Sequence, residues 1–227
     1  YYDRLNGTTY PNVHRAAPTP DQIAAFAGTG LTPAGAVLYV DDKYVNQLPQ
    51  QAAGVDYGFI YRLNTDDWGD FGLDVNVSHQ TKLFQEPTSG IAELLAARAA
   101  GKINAGTTIT GAADLIGQNG APAWRGSASL TWRKGPVSAN WFVDYIGDLY
   151  STLLTNPDGS FYNVPATFTH NVSVAYEFSE GRWQGTQLRL GVRNLFDKDP
   201  PLVSGGYLGS VYNPYGRYLY VDVKKTF

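Results

Sequence analysis

The sequence predicts an all-β protein, a transmembrane antiparallel up-and-down β-barrel with long extracellular loops. Three observations carry that prediction. Segments of about ten residues alternate apolar and polar side chains, so each presents one apolar face. The connections between them alternate in length: short at 64–69, 134–135 and 179–185, longer at 85–122, 148–163 and 197–216. The chain also ends on such a strand, with the aromatic Phe227 last. Membrane barrels have short periplasmic turns and long outer loops. A soluble sandwich also alternates, with its apolar face inward, but no parity of loop lengths is required of it.

Composition agrees with this class and excludes others. The 227 residues include no Cys and no Met, so disulfides and thiolate metal sites are out. Opening on Tyr1-Tyr2, the chain is expected to be a fragment, a processed product or the ordered part of something longer. The net charge of −3 is interspersed and leaves no electrostatic footprint for nucleic acid. No apolar run of about 18 residues is present, hence no membrane-spanning helix. Sixteen Tyr, five Trp and ten Phe suit a barrel's aromatic girdles.

Residues 1–45 read as an extracellular loop region broken by Asn6-Gly7 and prolines. Within it, Thr19-Pro20-Asp21 opens a short capped helix that Gly28 stops. Val37 to Asn46 reads as a strand or hairpin arm. The barrel strands are expected over 46–227. Val55 to Leu63 forms one strand. The next places Phe71, Leu73, Val75 and Val77 against Gly72, Asp74, Asn76 and Ser78. A long connection follows, with an Ala-rich helix at Ile91 to Ala100. Trp124 to Arg133 and Val137 to Tyr145 make a hairpin over Lys134-Gly135, then Asn156-Pro157-Asp158-Gly159 marks a turn. Phe168 to Phe178 and the strand opening at Leu188 precede the last loop. Pro200 and Pro201 cannot donate to a ladder, so that strand ends before them. On the terminal strand Leu219, Val221 and Val223 share a face opposite Tyr220, Asp222 and Lys224. Seven strands of about 9 to 12 residues result, the length of tilted membrane strands. If the last ends in the periplasm, every short turn lands there too.

Two stretches carry a family resemblance. The run GVRNLFDKDPP, Gly191 to Pro201, and YNPYGRYLYVDV with its final aromatic, Tyr212 to Phe227, resemble the C-terminus of TonB-dependent outer-membrane transporters. Gly54-Val55-Asp56 and Pro122-Ala-Trp-Arg125 add weaker matches. The resemblance implies a 22-stranded barrel around a plug, of which this chain is the C-terminal third. The plug domain and the box that binds TonB would lie upstream of Tyr1. It also implies that Leu219, Val221, Val223 and Phe227 form the signal read by the outer-membrane assembly machinery. Lys225 departs from the apolar residue usual there, and can snorkel to water.

The implied function is import of a scarce solute (siderophore, vitamin, saccharide or similar) across the outer membrane of a Gram-negative bacterium, with energy relayed by TonB. Its partners would be the rest of the receptor, the TonB complex, outer-membrane lipid and the small solute, with a surface lipoprotein or other subunit also open. No enzyme activity, cofactor or nucleic acid is implied. A passive porin or autotransporter barrel is the alternative, and a soluble β-rich binding module a further one.

For chemistry, the histidines His14, His79 and His170 lack ligand-like spacing, and no nucleophile elbow or zinc signature appears. His14 is expected in a loop, His79 and His170 near strand ends. Asp66-Asp67 and Asp197-Lys198-Asp199 read as solvated turns without calcium-loop spacing. The alternation turns Asp74, Asn76, Arg125, Arg133, Asn140, Asp144, Arg189 and Arg193 inward, to meet the plug or line the solute's path. Loop residues Tyr150, Tyr162, Tyr207, Tyr212 and Tyr215 offer rings for stacking on a ligand, while Tyr145 and Tyr218 suit an interface belt.

Overall fold

The computed structural model describes residues 13–30, 33–41, 48–107, 109, 112–158, 160–203 and 205–226. The chain divides into two units, one of Tyr1–Pro49 and Pro87–Ile109, the other of Gln50–Glu86 and Thr110–Phe227.

In the first unit a small hairpin pairs β1 (Val13–Arg15) with β2 (Val37–Val40). His14 therefore lies on a strand rather than in a loop; its ring stacks on Tyr39 at 4.2 Å, and Nε2 meets Asp41 at 3.3 Å. Helix α1 (Pro20–Ala25) begins with a reciprocal cap. The Gln22 N–H donates to Thr19 Oγ1, and Gln22 Oε1 accepts from the Thr19 N–H. The Ala-rich stretch forms α2 (Ser89–Ala99). Residues 1–12 and 42–47, with Asn6-Gly7 and the far end of the Val37 to Asn46 arm, lie outside the described residues.

The second unit is an antiparallel sheet of seven long strands. In chain order these are β3 (Gln50–Thr65), β4 (Gly69–Gln85), β6 (Trp124–Lys134), β7 (Val137–Ile146), β10 (Thr167–Phe178), β11 (Thr186–Arg193) and β14 (Tyr218–Lys225). Each pairs with its neighbour in that order, and the short β5 (Ala113–Asp114) adds to the end of β4. All three short connections therefore fall at one end of the sheet and all three long ones at the other. Lengths depart from the expected range: β3 and β4 have 16 and 17 residues, β11 and β14 only 8 each. Gln50–Ala53 has no large apolar residue to announce a strand, yet it pairs with Lys82–Gln85 past a bulge at Ala53/Gly54. A ladder needs backbone partners, not an apolar face.

The long connections are not bare loops. One holds the hairpin β8 (Leu149–Thr155) and β9 (Phe161–Val164), another β12 (Leu202–Val203) and β13 (Gly206–Tyr207). Their roots share a small core of Leu149, Val164 and Tyr212, flanked by Ile146, Val203, Leu208 and Val211.

Within its own unit, the described residues give the main sheet no such cover. Register puts Leu73, Leu130, Trp141, Val172, Val192 and Leu219 in one row of its apolar face. No large hydrophobic residue on that face is buried; Ala175, on the opposite face, is the single buried hydrophobic of the seven strands. Aromatics stand at both ends of the apolar face, and Phe59, Tyr61 and Trp141 lie in the rows between them. Near the long loops, His79 stacks on Trp124 at 3.8 Å and Tyr145 lies 4.7 Å from Phe168. Near the short turns, Trp132 Nε1 donates to the Trp68 carbonyl at 2.7 Å, and Phe178 sits between Tyr176 and Trp183. His79 lies well inside β4, not near its end, because β4 runs on to Gln85.

Candidate functional site

The opposite face of the sheet is polar, and the eight inward candidates all lie on it. Asn76 is in register with Ser127, Asp144 and Thr169; Asp74 with Ser129, Phe142 and Asn171. Arg133, Ser138, Ala175, Arg189 and Asp222 form another row, and Thr131, Asn140, Ser173, Gly191 and Tyr220 the next. Arg125 pairs across from Ile146, and Arg193 from Tyr218. Period-two alternation fixes this grouping once the register is set. Arg62 is a member that the alternation did not single out: its guanidinium pairs with Asp74 at 3.0 Å. Asn140 Nδ2 donates to Ser129 Oγ at 2.8 Å.

Six of the eight side chains line one of three concavities, and Asp74 and Asn76 line none of the three. Arg133, Asn140 and Arg189 line one of about 590 Å³ toward the short turns, with Arg62 and Tyr220. Arg125 lines a second of about 680 Å³, beside Asp56 and Ser78. Asp144 and Arg193 line the largest, about 810 Å³, at the long-loop end. Its floor is the polar face of β7, β10 and β11; its wall comes from the loop between β11 and β14, including Lys198, Asp199, Tyr215 and Arg217.

Asn194 builds that wall. It is 6% exposed and left-handed, with φ of 49°, a conformation Asn tolerates better than most residues. Its backbone N–H donates to Asn171 Oδ1 on β10 at 2.9 Å. Its side-chain Oδ1 accepts the Lys198 N–H at 2.8 Å, and its Nδ2 donates to the carbonyls of Lys198 and Tyr215 at 2.9 and 3.3 Å. Asp197, also left-handed at φ 55°, accepts the Arg217 N–H at 2.6 Å. Asp197 is thus engaged in a turn that ties two limbs of the loop, rather than merely solvated. A Cβ on Gly216 would come within 2.9 Å of Asp197 Oδ1, so the returning limb passes close for lack of a side chain.

The loop tyrosines divide. Tyr212 is 5% exposed, packed in the small core, and its hydroxyl has no hydrogen-bond partner among the described residues. Burial pushes its phenol pKa above the ordinary value, opposed by the Arg125 charge. It lines the large cavity but is not a free platform. Tyr150, on β8, stacks against Phe161 at 5.5 Å, and neither it, Tyr162 nor Tyr207 lines any of these three concavities. Tyr162 and Tyr207 stand exposed on the two loop hairpins, while Tyr215 and Tyr218 do line the large cavity. Arg193 reaches over the Tyr218 and Tyr220 rings at 5.8 and 5.7 Å.

On the terminal strand Leu219, Val221 and Val223 are all exposed on the apolar face. Phe227 lies outside the described residues. Lys225 Nζ donates to the Gln184 carbonyl of the neighbouring short turn. Among the described residues no group of three or more His, Cys, Asp or Glu side chains is placed to hold a metal ion, and no helix is long and apolar enough to cross a membrane. In comparisons with known proteins, no family model matches the chain and no curated protein does so significantly.

Proposed function

We propose that this chain is the C-terminal part of the β-barrel of a TonB-dependent outer-membrane transporter, which captures a small solute at its outer face and imports it. One observation carries the membrane reading: a seven-strand antiparallel meander leaves its apolar, aromatic-rich face uncovered among the described residues. In water such a face would need a second layer; lipid removes the need. Trp124 and Trp132 lie on the same face at the two ends of β6. Their separation of about 26 Å along a strand, at roughly 3.3 Å per residue, becomes about 20 Å at the usual tilt, close to the apolar band of such barrels.

The remaining steps follow from the resemblance at Gly191–Pro201 and Tyr212–Phe227. The edges β3 and β14 would pair with the rest of the barrel, closing it. The polar face would look into the lumen, toward a plug. The cavity of about 810 Å³ beneath the final loop is large enough for a small solute and combines aromatic rings with both signs of charge. TonB would engage the upstream part of the receptor and supply the energy.

The test is fractionation followed by uptake. The full polypeptide should sediment with the outer membrane, migrate differently in gels before and after boiling, and carry a plug upstream of Tyr1. Loss of TonB should abolish its contribution to solute uptake. Recovery in the soluble fraction would overturn the membrane reading, and TonB-independent flux would leave a barrel but remove the transporter.

A further inference from the structure

We infer that Asn194 is a positioning residue that makes the loop wall of the large cavity a preformed part of the site rather than a lid that closes over it. The inference rests on the geometry of the loop and stands whether or not the chain transports anything.

The loop from Asn194 to Arg217 leaves the sheet at β11 and returns at β14. A connection of this length would ordinarily be mobile, because few of its backbone groups find partners. Here the middle of the loop is held by the β12–β13 pairing and the small core, and at its root one buried side chain binds both limbs. Asn194 Oδ1 and Nδ2 take the N–H and carbonyl of Lys198 on the outgoing limb, and the same Nδ2 reaches Tyr215 on the returning limb. The Asn194 backbone is anchored to the floor through Asn171, a residue that itself lines the cavity. Asp197 adds a second tie to Arg217. Lys198, Tyr215 and Arg217 are therefore held at fixed places over the floor before any ligand arrives.

A left-handed φ alone does not explain the choice of residue. Glycine would adopt φ of 49° at less cost than Asn. Only a side chain with both a carbonyl and an amide group can serve Lys198 and Tyr215 together.

That difference supplies the test. Hydrogen–deuterium exchange of the full-length protein, in detergent or lipid, is compared for wild type and Asn194→Gly. The backbone conformation is kept and the ties are lost, so exchange should rise about tenfold or more at Lys198 and at Tyr215, Gly216 and Arg217, with the sheet amides unchanged. Asn194→Asp keeps the acceptor but loses the amide donor, and should loosen the returning limb. If Asn194→Gly fails to assemble, Asp197→Gly, which keeps the left-handed backbone, takes its place. It removes only the Arg217 tie and should raise exchange at Arg217 while Lys198 stays protected. Exchange unchanged in whichever variant assembles would overturn the inference, since the wall would then be held by something else.

Discussion

The ring of Tyr220 lies over the α-carbon of Gly191: a Cβ built there would sit 2.3 Å from Tyr220 Cζ. The two residues are direct partners across β11 and β14, and the Arg193 guanidinium stacks 5.7 Å from the same ring. An aromatic on one strand thus fills the space that a glycine leaves on the next. Gly191→Ala should displace the ring and cost about 1–3 kcal/mol in denaturant unfolding from lipid vesicles. Combined with Tyr220→Ala, the loss should be less than the sum of the single losses. Strict additivity would show that the contact carries no energy.

The two faces predict opposite tolerance of charge. Leu130→Arg and Val174→Arg place a guanidinium on the uncovered apolar face, and should cost about 2–4 kcal/mol near the bilayer midplane. Ser129→Arg lies on the polar face in register with Asp74, and should cost far less. Assembly measured by heat-modified gel mobility distinguishes them; equal effects would show that the faces are wrongly assigned.

Tyr212 predicts a pH dependence. Burial raises its pKa in the folded state, so the phenol there keeps its proton after an unfolded tyrosine, near pH 10, has lost it. Its contribution is fully present below about pH 10 and falls as pH rises above that value. Tyr212→Phe should flatten this alkaline decline. Because the hydroxyl lacks a partner, the substitution should also be neutral or stabilising by up to about 1 kcal/mol at pH 7. A clear loss of stability would mean that the hydroxyl has a partner after all, such as a bound water.

At the tip of the β8–β9 hairpin, Asp158 accepts both the backbone N–H and the hydroxyl of Ser160, which lowers its pKa. The carboxylate's support for the turn is present above the ordinary carboxylate range and is lost as pH falls through the depressed value. Nuclear magnetic resonance titration should find Asp158 ionising below an exposed aspartate, and Ser160→Ala should bring it partly back.

Much of this architecture can be read from residue order, for a physical reason. Where one face is apolar and the other polar, the period-two pattern fixes both the strand and its register, as in Trp124–Lys134 and Thr167–Phe178. The pattern is silent where the ladder continues without an apolar face, as at Gln50–Ala53. It is silent also for the hairpins β8–β9 and β12–β13, which are held by a local core. Tyr212 looked like a loop platform because nothing nearby in sequence signals its burial; Leu149 and Val164 are distant along the chain. The Asn194 ties join residues as much as 23 positions apart, so the motif was visible as a string of residues but not as a knot.

The most direct test of the central claim uses the absence of cysteine from these 227 residues, with any cysteine elsewhere in the full-length protein replaced by serine. Single substitutions along β6 and β10, Ser127→Cys through Leu130→Cys and Val172→Cys through Ala175→Cys, are made in the full-length protein in outer membranes. Each is labelled with a water-soluble or a membrane-dissolved maleimide. The account predicts alternation: Ala128, Leu130, Val172 and Val174 positions react from the lipid, while Ser127, Ser129, Ser173 and Ala175 positions do not. Uniform reaction with the water-soluble reagent on both faces would contradict it, because the apolar face would then meet water and not lipid.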